Sequence, residues 1–121
     1  MLKKFTILAA LLVTAAMAQS EAKADLRWHN LTKSNWQSML DTFTPQGYRV
    51  VDFDIHVSNG QPRYFLHMRR TGGPAWRIRT GLNNYQLQNF SRTMTSQGYR
   101  LRKMRSYSVN GVLLHGALYT R

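Results

Sequence analysis

The sequence predicts an α+β fold in which two tandem αββ repeats form one four-stranded antiparallel sheet with both helices on one face. The first observation is an internal repeat with an offset of 51, since QGYR at residues 46–49 recurs at 97–100. The second is a helical pattern that opens each unit, and the third is an Asn-Gly turn in each unit. A lone αββ unit of about 50 residues could not cover its apolar face, so we expect the two units to share one sheet.

Each unit opens with an amphipathic helix. In the first unit, the apolar residues have the spacing i, i+3, i+4, i+7: Trp36, Met39, Leu40 and Phe43. The matching positions of the second unit are Leu87, Phe90 and Met94. Thr32 and Ser34 are candidate N-caps, and Pro45 with Gly47 ends the first helix.

Each helix is followed by a predicted β-hairpin. Residues 48–58 are rich in β-branched and aromatic side chains, and residues 61–70 return after Asn59-Gly60. Asn-Gly favours a type I′ turn because both central residues need positive φ. The second unit repeats the pattern around Asn110-Gly111, and residues 71–74 (TGGP) form a loop between the units.

The N-terminus has the pattern of a cleaved secretory signal peptide over residues 1–18. Lys3 and Lys4 precede an apolar run that is shorter than the ~20 residues needed to span a bilayer. Cleavage could follow Ala18 or, in a second small-x-small site, Ala24. We expect a secreted or periplasmic product with a flexible segment at 19–27, repeat 1 at 28–70 and repeat 2 at 71–121, the two repeats forming one domain.

Composition excludes several classes of protein. The 121 residues include no cysteine, which excludes a disulfide scaffold, a thiolate metal site and a cysteine nucleophile. Apolar residues make up 43%, which is enough for a packed core. The formal net charge is +12, which favours polyanionic partners.

The charge is unevenly divided between the repeats. Residues 19–70 carry seven basic and five acidic side chains, whereas residues 71–121 carry eight basic and no acidic ones. At the offset of 51, Asp52 and Asp54 match Lys103 and Arg105. These side chains either pair across the interface between the repeats or lie on two separate solvated faces. Surface pairs would contribute only ~0–1 kcal/mol each.

The basic residues of repeat 2 include a candidate site for an anionic ligand. Aromatic and basic residues interleave there, as in sites that stack bases or sugars. Trp76, Tyr99 and Tyr107 are at repeat positions typical of a core, and Arg100 matches Arg49. The candidate ligand-binding residues that remain are Arg77, Arg79, Arg102, Lys103 and Arg105. Nucleic acid is a possible ligand that secretion disfavours.

The sequence favours neither a cofactor nor a metal, and it supplies no catalytic residue. Ser20 and Lys23 fit a Ser-x-x-Lys pattern but lie at the signal-peptide junction, where a helix is not expected. Among the four histidines no pair has i, i+4 spacing, so a zinc-binding helix is not expected. Asp52 and Asp54 could share a strand face, but an ion-pair role is more typical of such a pair than cation binding. An enzyme is therefore less expected than a binding protein.

The repeats resemble the bacterial tandem repeats of polyglycine hydrolases. Repeat 2 carries the resemblance in Trp76, Gly81-Leu82, Phe90, Gly98-Tyr99-Arg100 and Tyr107. Repeat 1 matches through Leu31-Thr32, Trp36, Gly47-Tyr48-Arg49 and Gly60, but it lacks a glycine before Leu31 and has Ile55-His56 near the position of Tyr107. In that family such repeats accompany a β-lactamase-like serine hydrolase domain. The repeats of that family have no established catalytic role, so the resemblance transfers no catalytic residue to this chain.

The sequence thus predicts a secreted or periplasmic, non-enzymatic binding module. Its partner would be an anionic envelope component, bound with strong salt dependence, or a protein, bound through the open face of the sheet. The alternative function is that of an accessory or relative of a polyglycine-hydrolase-type peptidase that recognises a peptide substrate.

Overall fold

The structure, a computed structural model, describes residues 25–121 and contains two βαββ units. The predicted signal peptide at 1–18 lies outside the described residues. The first unit consists of β1 (Asp25–Leu31), α1 (Lys33–Phe43), a 3-10 turn (Thr44–Gln46), β2 (Arg49–Ser58) and β3 (Gln61–Arg69). The second consists of β4 (Trp76–Leu82), α2 (Asn84–Ser96), β5 (Arg100–Val109) and β6 (Val112–Thr120).

Both predicted helices are confirmed, with caps that explain where they begin. The Thr32 hydroxyl accepts a hydrogen bond from the Asn35 backbone N–H at 3.2 Å. Asn83 and Gln86 form a reciprocal capping box at the start of α2. Trp36 is the buried residue of α1, and it packs on the rings of Phe53 and Tyr64.

Both predicted hairpins are confirmed as well. Asn59 and Gly60 have φ of 52° and 73°, and Asn110 and Gly111 have 51° and 78°, as type I′ turns require. Gly47 and Gly98, which follow the helices, also have positive φ of 91° and 85°. The two units therefore repeat each other down to the backbone conformation of single residues.

The predicted single four-stranded sheet is wrong. Each unit has its own three-stranded antiparallel sheet, with strand orders β1-β3-β2 and β4-β6-β5. The third strand of each sheet is formed by the segment that precedes the helix, and no strand was predicted there from the sequence. Because this segment pairs with β3 or β6, each hairpin completes its sheet within its own unit. Residues 25–27, expected to belong to a flexible segment, are the beginning of β1.

A break in the pattern explains why β1 and β4 were missed. The pairing register of both strands shifts, between Trp28 and Leu31 and between Arg79 and Leu82. At the shift, Asn30 has φ of 60° and its equivalent Gly81 has φ of 70°. A bulge of this kind inserts a residue and interrupts the alternation by which a strand is identified in a sequence.

The second sheet is covered on both of its faces. On one face α2 packs over a core that includes Leu82, Phe90, Met94, Ala117 and Tyr119. The other face packs on the first unit, since Tyr107 and Leu118 belong to the same core cluster as Trp36 and Phe53. The face of the second sheet that is opposite α2 therefore packs against the face of the first sheet that carries α1.

Close approach at the centre of this stack requires a glycine. A Cβ at Gly116 would lie 2.8 Å from Ile55 Cδ1 and 3.1 Å from Phe53 Cε2. Beside it, the Tyr107 hydroxyl accepts a hydrogen bond from the Gly81 backbone N–H at 3.0 Å. Burial, together with the neighbouring Tyr107, raises the pKa of Tyr64 to about 12. This phenol is therefore un-ionised at any physiological pH.

Among residues 25–121, no helix is long and apolar enough to cross a membrane.

We predict that Gly116→Val lowers the free energy of unfolding by about 1–3 kcal/mol, because the added methyl groups overpack the junction. Urea unfolding would measure the change. Gly72→Val is the matched control, since a Cβ at Gly72 has no neighbour within 4 Å among the described residues and φ there is not positive. Equal losses in the two variants would contradict the close packing assigned to Gly116.

Candidate anion-binding site

Two ion pairs join the repeats, as one of the two sequence alternatives predicted. Lys103 Nζ lies 2.6 Å from Asp52 Oδ1, and Arg105 Nε lies 2.9 Å from Asp54 Oδ1. Both pairs connect β2 to β5, which lie side by side. Lys103 Nζ is also 5.9 Å from the centre of the Phe53 ring. Lys103 and Arg105, two of the candidate binding residues, therefore already form ion pairs that join the repeats.

Arg77 and Arg79 lie elsewhere, on the outer strand β4. Their guanidinium groups are over the rings of Tyr99 and Phe90, at 5.6 and 5.5 Å from the ring centres. Arg77 also donates a hydrogen bond to the Trp76 carbonyl oxygen at 2.8 Å. The structure thus separates these two arginines from the other three candidates and stacks both on aromatic residues of their own repeat.

Arg102, the fifth candidate, lies at the junction together with two arginines of repeat 1. It lines a cavity of about 280 Å³ with Arg49, Arg69 and Pro74. A second cavity of about 450 Å³ shares Arg69 and Arg102. The second cavity is also lined by Val51, Asp52, His67 and Lys103. We call the two cavities together the junction cleft.

Arg49 has an unusual environment within this cleft. Its Nε is buried and has no hydrogen-bond partner among the described residues. The loop between the repeats holds the guanidinium in place, since a Cβ at Gly73 would overlap it. A buried N–H without an acceptor is costly, and more so on a charged group.

Asp25 organises the cations on the repeat 1 side. Arg69 Nε lies 2.6 Å from Asp25 Oδ1, and Arg27 NH2 lies 3.4 Å from Oδ2. The hydrogen bond from Arg69 is the main reason that the pKa of Asp25 falls to about 2. The carboxylate is therefore ionised throughout the physiological range and fixes the direction of the Arg69 side chain.

His67 is a nearly buried neutral residue of the cleft. Its Nε2 lies 3.6 Å from Asp25 Oδ1, which is too long for a hydrogen bond. Burial lowers the pKa of His67 below its usual value, and the nearby Arg27 lowers it further, whereas Asp25 opposes the change. The cleft therefore gains no positive charge from His67 at neutral pH.

Asp52 remains ionised in the cleft despite its burial. Partial burial raises the pKa of its carboxyl group, but hydrogen bonds from Lys103 and from the Phe53 backbone N–H outweigh it and lower the pKa overall. At neutral pH the cleft thus combines four cations with one carboxylate, Asp52, while Asp25 lies behind Arg69. The cations are Arg49, Arg69, Arg102 and Lys103.

A separate polar cluster lies on the outer face of repeat 2. Ser106 Oγ is 2.7 Å from His115 Nδ1, and His115 Nε2 is 2.6 Å from Asn84 Oδ1. Asn84 Oδ1 can only accept a hydrogen bond, so His115 Nε2 carries the proton and donates it to this bond. The unprotonated Nδ1 then accepts a hydrogen bond from the Ser106 hydroxyl. The order serine, histidine and polar side chain is that of a catalytic triad, but Asn84 has no charge with which to stabilise an imidazolium, and Ser106 lies within a paired strand. The cluster satisfies the buried His115.

The described residues contain no group of three or more histidine, cysteine or acidic side chains that could hold a metal ion. Arg49, Arg69 and His67 line the cleft but were not predicted as binding residues from the sequence. Arg49 was interpreted as structural because Arg100 repeats it. The sequence carries no other signal for these three residues, since only the stacking of the repeats brings them to Arg102.

We predict that acid destabilises the protein in two steps. Between pH 6.5 and the lowered pKa of His67, the unfolded chain binds a proton that the folded chain does not, so stability falls with falling pH. Below about pH 4, the unfolded chain binds a proton at Asp25 that the folded chain does not bind until the pH approaches 2, so stability falls again. Thermal unfolding across pH 3–8 should show both losses.

The variant His67→Gln should abolish the first loss and keep the second. His56→Gln, at an exposed position of β2, is the control and should keep both. If His67→Gln unfolds with the wild-type pH dependence above pH 5, the neutral state assigned to His67 is wrong.

Comparison with known proteins supports the internal duplication. A family model described as "polyglycine hydrolase-like, structural repeat" matches the chain twice, at residues 28–65 and 73–121. Each match begins within the first strand of one βαββ unit or in the loop before it, and continues into the last strand of that unit. Neither the curated proteins nor the solved structures contain a match to this sequence.

Proposed function

Since the chain belongs to the family of polyglycine hydrolase-like structural repeats, we propose that it is a non-enzymatic binding module which holds an anionic envelope component in the junction cleft. The family description names a structural unit and no reaction. The N-terminal sequence pattern supports a secreted or periplasmic location. Phosphorylated lipid headgroups and acidic glycans are the polyanions expected there.

The observation that carries this proposal is that Arg49 and Arg102 line the same cavity without a carboxylate partner in the part of the chain that the structure describes. Their neighbours Arg69 and Lys103 have carboxylate partners at 2.6 Å, but Arg49 has none among the described residues. Arg102 also lacks an acidic partner within residues 25–121, so two guanidinium groups are available to a ligand. Guanidinium groups bind phosphate and carboxylate oxygens through two parallel hydrogen bonds, which favours such anions over chloride.

The dimensions of the cleft restrict the ligand. A cavity of about 280 Å³ accommodates a phosphate group with a small substituent but not an extended polymer. Both repeats contribute to the cleft, since Arg49 and Arg69 come from repeat 1 and Arg102 comes from repeat 2. Binding would therefore require the two repeats to be stacked as they are in the structure.

We predict that the chain from residue 19 binds vesicles containing phosphatidylglycerol at low salt and leaves them at high salt. Flotation with phosphatidylcholine vesicles as background would measure this. The variant Arg102→Gln should weaken binding about tenfold, because it removes a charged hydrogen-bond donor from the ligand. Arg100→Gln, with the same charge change at an exposed position of the same strand, should bind within about twofold of wild type.

The same titration identifies the source of the anion. Inorganic phosphate that competes at millimolar concentration indicates that the phosphate group itself is recognised. Competition only by the lipid headgroup indicates a larger ligand. Equal losses in Arg102→Gln and Arg100→Gln would contradict the cleft as the site, because they would show a response to overall charge alone.

A second candidate function, peptide recognition beside a peptidase of the polyglycine hydrolase type, is favoured by a groove next to β4. The groove has a volume of about 790 Å³ and lies between α1 and residues 75–80. The strand β4 is the outer strand of its sheet, so its free edge could pair with an extended peptide.

We predict that, if this second function applies, a soluble glycine-rich peptide shifts the amide NMR signals of β4. The outer strand β1 of repeat 1 is the internal control, because it is the equivalent edge without a second repeat beside it. Shifts confined to β4 and the facing side of α1 would support peptide recognition. Unchanged spectra, or equal shifts in β1 and β4, would exclude the groove as a peptide site.

A further inference from the structure

The outer face of repeat 2 is a copy of the surface on which repeat 2 itself is docked. In repeat 1, α1 contributes five residues to the groove at the junction: Lys33, Trp36, Gln37, Leu40 and Asp41. Adding the offset of 51 gives five residues of α2, and all five line an open groove of about 610 Å³: Asn84, Leu87, Gln88, Ser91 and Arg92. The open groove on repeat 2 therefore corresponds, position by position along the helix, to the groove on repeat 1 whose opposite wall is β4 of the docked repeat 2.

The strands show the same correspondence with opposite burial. Val50 and Phe53 of repeat 1 are 1% and 0% exposed beneath the second repeat. Their equivalents in repeat 2, Leu101 and Met104, are 51% and 40% exposed and line the open groove. Repeat 2 thus presents two large apolar side chains at positions which the stack covers in repeat 1. Such a surface is typical of an interaction site.

A second copy of this chain does not fit the open face. The docking surface of repeat 2 presents Trp76, Ile78 and Leu118, with Gly116 for close approach. At the equivalent positions, repeat 1 has Asp25, Arg27, His67 and Phe65. If repeat 1 of a second copy docked on this face, the charged groups of Asp25 and Arg27 would lie against the apolar side chains of repeat 2. Phe65 would lie at the position of Gly116, where even a Cβ is crowded. Repeat 1 therefore has the polar outer face typical of a terminal repeat in an array.

The charges indicate what kind of repeat would fit. Repeat 1 has three aspartates around its docking face, namely Asp41, Asp52 and Asp54, and two of them pair with the basic residues of repeat 2. At the same three positions repeat 2 has Arg92, Lys103 and Arg105. A complementary partner is therefore acidic where repeat 2 is basic, and its acidic groups would share Lys103 and Arg105 with Asp52 and Asp54 of repeat 1.

We propose that the face of repeat 2 formed by Leu87, Arg92, Leu101 and Met104 docks a further repeat of this family, carried by a partner chain. The docking surface of that partner is apolar, has a small residue at the position of Gly116 and has acidic residues at the positions of Lys103 and Arg105. The partner would extend the stack by one unit through the same geometry that joins repeats 1 and 2.

A covalently attached repeat tests whether this face accepts one. The position of Arg121 is equivalent to that of Arg70, so a copy of residues 71–121 appended after Arg121 continues the repeat in register. The appended copy carries Lys103→Asp and Arg105→Asp, which makes it acidic where it meets repeat 2. In the original chain a soluble paramagnetic agent should broaden the NMR signal of the exposed Met104 methyl group. In the longer chain we expect the Met104 methyl signal of repeat 2 to be protected from this broadening. We also expect the longer chain to unfold in one transition.

Two controls make the outcome specific. Leu101→Glu in repeat 2 should restore the broadening at Met104, although its exposed position leaves the original two repeats folded. An appended copy that keeps Lys103 and Arg105 should protect Met104 less, because like charges would then face each other. A folded third repeat that leaves Met104 as accessible as in the original chain would overturn the proposal.

Sedimentation of the unaltered chain tests the choice of partner. We expect a monomer over the micromolar range, because repeat 1 lacks the docking surface. Concentration-dependent association that Met104→Lys abolishes would show that a second copy of this chain is the occupant, which would also overturn the proposal.

Discussion

The contact between the back of the second sheet and the α1 face of the first repeat is the constraint on which the rest of the structure depends. Gly116 allows the sheet to approach Phe53 and Ile55 closely, and Tyr107 and Leu118 complete the core of repeat 1. Without this contact the larger of the two apolar clusters in residues 25–121 would be exposed, since α1 alone does not cover it. A chain without disulfides depends on such packing for its stability.

The same contact creates the functional surfaces. It brings Arg102 to Arg49 and Arg69, and it places the free edge of β4 beside α1. Neither the cleft nor the groove exists in one repeat alone. Duplication of a unit thus produces binding surfaces that no single unit contains, and the two copies can then diverge in charge. Repeat 1 retains all acidic side chains of the described residues, whereas repeat 2 is entirely basic.

The elements with strong local signals were predictable from the sequence. The spacing from Trp36 to Phe43 and the Asn-Gly pairs identify the helices and hairpins because they depend on local geometry. The offset of 51 predicted the pairing of Asp52 with Lys103 as one of two alternatives. The strands β1 and β4 were missed because a bulge interrupts each one, and with them the division into two sheets. The cleft was missed because Arg49 and Arg102 are brought together only by the stack.

Native-state amide hydrogen exchange tests most directly whether the two repeats form one cooperative unit. Amides of the central strands β3 and β6 should exchange only by global unfolding, with the same free energy and the same denaturant dependence. This follows because each sheet contributes to the core at the junction. If β3 exchanges at a clearly lower free energy than β6, or β6 at a lower one than β3, the repeats unfold separately, and the central role given to their contact is wrong.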